Sequence, residues 1–295
     1  MMIDLNNRFY FRAFNLFLAA MLFQNCIIGH KKFTYLNRKE NILVGTIGTV
    51  TFLTFFGLIL NGVIGNNGSS IPLSDNRLKN IQSNNNIKKT AYKIGNTTLI
   101  ISMDEIQSSK ADCVAYAANP YLQSGGGTAG HIWNVANKDN RLKKEIDKKY
   151  PKIRNKVRCE TGSVAVTSGG SMPDVKYIFH AVPPDNRKNG SYDCPGRIWE
   201  NDGQLLFSLC CLNCLIEATK LECKTLAMCI FGIGIYNCPS EPAIKILIET
   251  IKNFKMNHTK NNLEEITIVT YRNEKNFRIL DKTCQEEGFS KILTK

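Results

Sequence analysis

Short apolar runs alternate with longer amphipathic segments over the C-terminal two thirds of the chain. Apolar runs bounded by Gly, Pro, Asn and Asp are typical of buried strands, whereas apolar residues repeated every three or four positions are typical of helices. The predicted strands are 97–102, 113–118, 163–167, 176–184, 225–231, 265–271 and 289–293. The predicted helices are 131–150, in two pieces divided near 137–140, then 204–220, 240–256 and 274–287. This order predicts a three-layer α/β/α sandwich on a mixed, mostly parallel sheet.

Two apolar runs near the N-terminus have a different character. Residues 42–65 carry no charged side chain, and a helix needs about 20 apolar residues to cross a bilayer. Residues 13–29 form a weaker run, compatible with a signal peptide, a signal anchor or a first span. We therefore expect a membrane-associated region at 1–65 with one or two transmembrane helices, a flexible polar linker at 66–95, and one folded domain at 96–295.

The basic charge of the chain is unevenly placed. The net charge of +13 would by itself favour a nucleic-acid partner. Residues 1–95 carry 11 Lys and Arg against 3 acids, which is +8, and residues 96–295 carry 27 against 22, which is +5. Because most of the excess lies beside the apolar runs, membrane-flanking charge is the first interpretation, and nucleic acid is not the partner that we expect.

The compartment of the folded domain depends on how many of the apolar runs cross the membrane. If only 42–65 spans, the four basic residues between the two runs are cytoplasmic and the folded domain lies outside or in a lumen. If both runs span, a cytoplasmic N-terminus returns the domain to the cytoplasm. Ten of the eleven cysteines follow residue 95 without the spacing of a disulfide framework, which favours a membrane protein with a cytoplasmic domain. Cys211 and Cys214 have no second Cys or His pair at ligand spacing, so we predict neither a metal site nor a cofactor.

Glycine-rich loops follow two of the predicted strands. The strand at 113–118 ends at Asn119, and a triple glycine at 125–127 and Gly130 precede the next helix. Glycines let the backbone approach an anion closely, and the first N–H groups of the next helix point at it, so this order predicts a phosphate-binding site. A second loop, Gly-Ile-Gly-Ile-Tyr at 232–236, also follows a strand. Ligands of parallel sheets bind where such loops converge.

The first loop resembles the signature of the macro domain family, which is a strand ending in Asn-Ala-Ala-Asn, five further residues, and Gly-Gly-Gly-Val-x-Gly. This chain has Tyr-Ala-Ala-Asn at 116–119 and Gly-Gly-Gly-Thr-Ala-Gly at 125–130. The resemblance continues in Cys-Glu-Thr-Gly at 159–162 and in the second loop, and it covers roughly residues 96–293. It is close to the macro domains of coronaviruses and of poly-ADP-ribose polymerases, which also carry Ala at the position of Ala129.

This resemblance implies that the two loops bind ADP-ribose, free or as a mono-ADP-ribosyl group on proteins. It implies that Asn119 contacts ribose hydroxyls, that the loops wrap the diphosphate, and that Tyr236 packs on the distal ribose. Asp104 would accept a hydrogen bond from the adenine amino group, with a helix N-cap as the alternative interpretation. The implied ligand-binding residues are Asp104, Asn119, Gly125, Gly126, Gly127, Thr128, Ala129, Gly232, Ile233, Gly234, Ile235 and Tyr236. His180 is interpreted as a structural histidine and His131 as a residue on a helix surface.

Three functions are compatible with the sequence. The first is recognition of ADP-ribose or of mono-ADP-ribosylated proteins. The second is a hydrolase that removes mono-ADP-ribose with Asn119 as the catalytic residue, although Ala129 stands where such members carry Asp and Ser124 where many carry His. The third is a degenerate macro fold that serves as a protein-interaction platform at a membrane.

Overall fold

The computed structural model describes residues 87–153, 156–187, 198–200, 202–258 and 261–292. Within these ranges, no helix combines the length and the apolar character that a membrane crossing needs. The predicted spans at 13–29 and 42–65, and most of the predicted linker, lie outside the described residues.

Eight strands of the described residues form one mixed sheet. They are β1 (Lys89–Ile94), β2 (Thr97–Ser102), β3 (Cys113–Ala117), β4 (Val164–Ser168), β5 (Tyr177–Ala181), β6 (Thr225–Cys229), β7 (Glu265–Val269) and β8 (Ser290–Ile292). The strand order is β4-β5-β3-β6-β7-β2-β1-β8. The five strands from β5 to β2 run parallel, whereas β4, β1 and β8 pair antiparallel with their neighbours. The predicted mixed, mostly parallel sheet is confirmed.

Helices cover both faces of this sheet. They are α1 (Thr128–Ala136), α2 (Arg141–Lys149), α3 (Gly203–Lys220), α4 (Ser240–Asn257) and α5 (Glu274–Glu286), with 3₁₀ turns at Ile106–Ser108, Lys138–Asn140 and Ile198–Glu200. All six residues of β2 and the first four residues of β3 are buried. Because successive residues of a strand point to opposite faces, both faces of the sheet must be covered. The predicted division of the first helix is also confirmed, because Asp139 and Asn140 adopt positive φ angles between α1 and α2.

The predicted linker at 66–95 overlaps the beginning of the folded domain. Residues 89–94 form β1, which pairs with β2 on one side and with β8 on the other. Ala91, Tyr92 and Ile94 are buried, and Tyr92 Oη donates a hydrogen bond to the Asp281 main-chain oxygen at 3.0 Å. These few apolar residues follow a long Asn- and Lys-rich stretch, so the average composition of the stretch is polar and does not indicate a strand at its end.

A hydrogen-bonded network that includes His180 joins β3, β4, β5 and α1 in the core. His180 is fully buried, and its Nδ1 lies 2.7 Å from Tyr116 Oη while its Nε2 lies 2.8 Å from Thr167 Oγ1. Trp133 Nε1 donates to Tyr116 Oη at 3.0 Å, so the phenol oxygen has partners on both α1 and β5. The interpretation of His180 as a structural histidine with a satisfied ring is confirmed. Tyr116, which replaces the first Asn of the family signature, belongs to this packing network.

This network makes the stability of the domain sensitive to acid. Burial lowers the pKa of His180 from 6.5 to about 3, so the unfolded chain takes up a proton over a pH range in which the folded domain does not. The free energy of unfolding should therefore fall by about 2 kcal/mol between pH 7 and pH 5 through this residue. Urea unfolding at the two pH values measures the change. The His180→Gln variant cannot take up this proton and should lose about 2 kcal/mol less over the same interval; equal losses would contradict a neutral buried histidine.

Candidate functional site

A cleft of about 350 Å³ opens where the carboxyl ends of β3, β6 and β7 meet. Each of these neighbouring strands is followed by a loop that forms part of the wall. The lining residues are Ala117, Asn119, Gly125, Gly126, Gly127, Thr128, Ala129, Cys229, Ile230, Gly232, Ile233, Gly234, Ile235, Tyr236, Val269, Thr270, Tyr271, Asn273 and Asn276. Parallel strands place their carboxyl ends at one edge of the sheet, which explains why three loops distant in sequence converge here.

Asn119 organises the first loop from inside the cleft. Its side chain is buried, its Nδ2 donates to the Gln123 main-chain oxygen at 2.9 Å, and its Oδ1 accepts from the main-chain N–H groups of Tyr121 and Gln123 at 3.1 and 3.2 Å. A carboxamide has two donor hydrogens, so one Nδ2 hydrogen is left over from these contacts. Asn119 therefore combines the turn-forming role of an Asn before Pro with a position in the cleft wall.

Three glycines bring the start of α1 to the cleft. Gly127 precedes α1 with φ 60° and ψ −139°, a conformation that residues with a Cβ rarely adopt. A Cβ on Gly130 would lie 2.6 Å from the Gly125 main-chain oxygen, so the helix packs directly on its own loop. A Cβ on Gly126 would lie 2.7 Å from Ile235 Cδ1, which belongs to the loop on the opposite side. The first N–H groups of α1 have no partner within the helix and lie at the wall of the cleft.

The second loop is held by the segment that follows β5. Gly232 has a φ of 69°, and a Cβ there would lie 2.8 Å from Cys238 Sγ. The Asn186 main-chain N–H donates to the Tyr236 main-chain oxygen at 2.8 Å, and the Arg187 guanidinium lies 5.4 Å from the centre of the Tyr236 ring. Arg187 is itself fixed by two hydrogen bonds to the carboxylate of buried Asp185, from Nε at 2.8 Å and from Nη2 at 2.6 Å. Both the backbone and the ring of Tyr236 are thus positioned from outside the cleft.

A third loop, after β7, completes the cleft. Tyr271 and Arg272 both adopt left-handed backbone conformations, with φ of 53° and 58°. The Arg272 main-chain N–H donates to the Met103 main-chain oxygen at 3.1 Å, which ties this loop to the end of β2. Tyr271 Oη lies 2.7 Å from His131 Nε2 on α1. His131 is exposed, which confirms its interpretation as a residue on a helix surface.

The described side chains that line the cleft carry no formal charge at neutral pH. They include no carboxylate, imidazole, ammonium or guanidinium group. Burial raises the pKa of the Cys229 thiol to about 11, against hydrogen bonds from the Ala117 backbone and the Thr128 side chain, so this thiol is neutral. The polar groups that remain are amides, hydroxyls and main-chain N–H groups. Such a site suits an anion with a large uncharged part, because no carboxylate in the lining repels it.

Eleven of the twelve predicted ligand-binding residues line the cleft, and Asp104 does not. Asp104 follows β2, and its Oδ1 accepts a hydrogen bond from the Glu105 main-chain N–H at 2.8 Å. The alternative prediction that Asp104 caps a helix is wrong, because Glu105 precedes the 3₁₀ turn and that turn has no side-chain cap. The predicted site lacks the third loop, which contributes Thr270, Tyr271, Asn273 and Asn276 to the lining. Its position directly after a predicted parallel strand was the available signal.

The chain belongs to the macro domain family. A family model described as Macro domain matches residues 115–247. An uncharacterised protein of Pyrococcus furiosus is 31% identical over 173 residues, which is 58% of this chain and 88% of the relative. An ADP-ribose glycohydrolase of Archaeoglobus fulgidus is 29% identical over 182 residues, which is 61% of this chain and 88% of the relative. An uncharacterised protein of Thermotoga maritima is 32% identical over 181 residues, and the matched part spans 27% of that relative.

A solved structure supports the fold. The macrodomain of Oceanobacillus iheyensis with ADP superposes with a TM-score of 0.58, covering 68% of this chain and 97% of that chain, at 23% sequence identity. At this identity the likeness extends to the fold and not to the ligand.

Replacement of Asn119 by Ala should loosen the first loop as well as the cleft. The change removes three hydrogen bonds to main-chain groups of Tyr121 and Gln123, and it should lower the free energy of unfolding by about 1 to 3 kcal/mol. Amide hydrogen exchange should accelerate at Tyr121 and Gln123. The matched variant Asn119→Asp keeps the acceptor and should protect these two amides better than Ala does. Unchanged exchange in Asn119→Ala would contradict the loop-organising role.

Proposed function

We propose that the cleft binds ADP-ribose, free or as a mono-ADP-ribosyl group on proteins. The observation that carries this proposal is the convergence of two glycine loops and the start of α1 on a cleft without charged side chains. A volume of about 350 Å³ lies at the lower end of the range for sites that bury small organic ligands. The name of the Archaeoglobus fulgidus relative adds support.

The diphosphate is assigned to the space between the two glycine loops. Main-chain N–H groups at the start of α1 and along residues 232–235 offer donors and a favourable dipole to its negative charge. The remaining Nδ2 hydrogen of Asn119 is assigned to a ribose hydroxyl, and the ring of Tyr236, held by Arg187, to the distal ribose. The adenine contact of Asp104 stays a prediction, because this residue lies outside the cleft lining.

Hydrolysis of the ADP-ribosyl bond is the second candidate function, and the name of the Archaeoglobus fulgidus relative is the observation that favours it. The described cleft lining holds no carboxylate or imidazole that would act as a general base. Turnover would therefore require Asn119 and groups of the substrate to orient the attacking water. Release of mono-ADP-ribose from a modified protein, followed over time with the wild-type chain, tests this candidate.

Attachment to a membrane through residues 42–65 belongs to the same proposal. Its support is the uncharged run in the sequence. After alkaline carbonate extraction of cell membranes, the full-length chain should stay in the pellet, whereas a chain that begins at residue 81 should appear in the supernatant. Extraction of both chains into the supernatant would contradict a membrane-spanning N-terminal region.

Replacement of Gly126 by Val should abolish ADP-ribose binding while leaving the fold intact. The new side chain would project toward Ile235 across the cleft and occupy the space assigned to the diphosphate. Calorimetric titration of the full-length chain should give wild type a dissociation constant in the micromolar range, which corresponds to a binding free energy of about −8 kcal/mol. The Gly126→Val variant should give no measurable heat. ATP and NAD serve as competing ligands, and the urea midpoint of the variant reports on folding.

The Ile235→Ala variant separates two explanations for the loss of ADP-ribose binding in Gly126→Val. One is displacement of Ile235 by the valine, and the other is direct exclusion of the ligand by the valine. Alone, it should bind ADP-ribose within a few-fold of wild type, because Ile235 contributes a main-chain donor to the site. The double variant Gly126→Val with Ile235→Ala should remain unable to bind, since the valine itself excludes the ligand. Equal affinity of wild type and Gly126→Val would refute the site. An absence of heat with folded wild type would favour the protein-interaction platform instead.

A further inference from the structure

The net charge of the folded domain is concentrated in 21 consecutive residues. Residues 138–158 carry 10 Lys and Arg and 3 acids, which is +7, whereas the rest of 96–295 carries 17 against 19, which is −2. The modest +5 of the domain therefore conceals a strongly basic part and a slightly acidic remainder. The structure describes residues 138–153 and 156–158 of this stretch, and we refer to these residues as the basic segment.

The fold places the basic segment on an exposed surface beside the edge strand β4. Leu142 and Ile146 of α2 are buried, and Tyr150 Oη donates to the Val166 main-chain oxygen of β4 at 2.9 Å. All the described Lys and Arg side chains of the segment are exposed apart from that of Arg158, which is partly buried. Because residues three and four positions apart share one side of a helix, Arg141, Lys144 and Lys148 form a stripe that faces away from the sheet.

The carboxylates of α2 pair with other basic residues and do not neutralise the charges of this stripe. Asp147 accepts from Lys143 at 2.6 Å and from Arg158 at 2.5 Å. Glu145 pairs with Lys149 at 2.6 Å and also accepts a hydrogen bond from the Ser168 main-chain N–H. Among the described residues, Arg141, Lys144 and Lys148 have no carboxylate within ion-pair distance. Three positive charges are therefore distributed along about 10 Å of the helix axis, and all three are exposed to solvent.

The basic segment continues beyond α2 and ends beside Pro120, in the loop that follows β3. After α2 the chain turns, and the main-chain N–H groups of Arg158 and Cys159 donate to the Pro120 main-chain oxygen at 2.8 and 3.1 Å. Pro120 directly follows Asn119. Lys152 and Lys156 are exposed along this return. Exposed positive charges are therefore present beyond α2 as well as on it.

We propose that the basic segment binds the phosphate backbone of duplex nucleic acid without reading its sequence. A duplex carries one negative charge for about every 1.7 Å of its axis, which complements a linear array of lysines. The described part of the segment offers no exposed aromatic side chain on which an unpaired base could stack, because Tyr150 is bonded to β4. The apolar residues of α2 are packed against the domain, so the helix cannot insert an apolar face into a lipid surface.

The test is binding of a fluorescently labelled DNA duplex to the full-length chain, followed by anisotropy. The dissociation constant should be micromolar or weaker at physiological salt, and the logarithm of the affinity should fall steeply with the logarithm of the salt concentration over about 50 to 200 mM. The triple variant Arg141→Gln, Lys144→Gln, Lys148→Gln should bind at least tenfold more weakly. Its salt slope should be smaller by about 2 to 3, which corresponds to the loss of three phosphate contacts.

A control variant with the same change in net charge distinguishes the effect of the basic segment from the effect of the overall charge on duplex binding. The variant Lys110→Gln, Lys275→Gln, Lys282→Gln removes three exposed lysines outside the basic segment and should bind within about twofold of wild type, because exposed charges far from the contact are screened. Equal weakening of both triple variants would overturn the proposal, as would an absence of duplex binding at low salt. Binding to vesicles that contain phosphatidylserine, without binding to the duplex, would also overturn it. Gly126→Val should leave duplex binding unchanged, which separates this surface from the cleft.

Discussion

The contact on which the site depends most is the packing of α1 against its own glycine loop. Gly130 lies so close to the Gly125 carbonyl that any side chain at residue 130 would collide with it. This approach brings the first turn of α1, with its unpaired N–H groups, to the carboxyl end of β3. The hydrogen-bonded group of Trp133, Tyr116 and His180 fixes the middle of the same helix to the core. The donors at the start of α1 are therefore held by a helix that is fixed to the core and not by a loop alone.

The elements that sequence analysis located well are those whose signal is local. The apolar runs of β2, β3 and β6 become buried in the sheet, and the apolar repeat of α4 becomes buried at Ile244, Leu247, Ile248 and Ile251. In each of these elements, burial corresponds to a direct pattern of residues in the sequence. The two glycine loops can be predicted because the sequence identifies each glycine, and hence each position without a Cβ, directly. By contrast, β1 was assigned to the linker, because Ala91, Tyr92 and Ile94 become buried only through pairing with β2 and contacts to α5.

The third loop of the cleft shows why part of the site escaped prediction. Tyr271 and Arg272 carry ordinary side chains in left-handed backbone conformations, and no local rule predicts this. Hydrogen bonds from Thr270 to the Ser102 carbonyl and from Arg272 to the Met103 carbonyl accompany that conformation. These are tertiary contacts between segments more than 160 residues apart. The dual position of Asn119 is similar, because a sequence motif indicates that the residue matters without showing how much of its amide is already used.

The pairing of β1 with β8 has a consequence for the biosynthesis of the protein. Lys93 pairs with Ser290 and Ala91 with Ile292, so β1 meets this partner only after the intervening residues, 95–289, have been synthesised. Residues 290–292 must leave the ribosomal exit tunnel before β8 can pair with β1. The other described strands precede β8 in the chain and can pair before it emerges, so this edge of the sheet is the last to form.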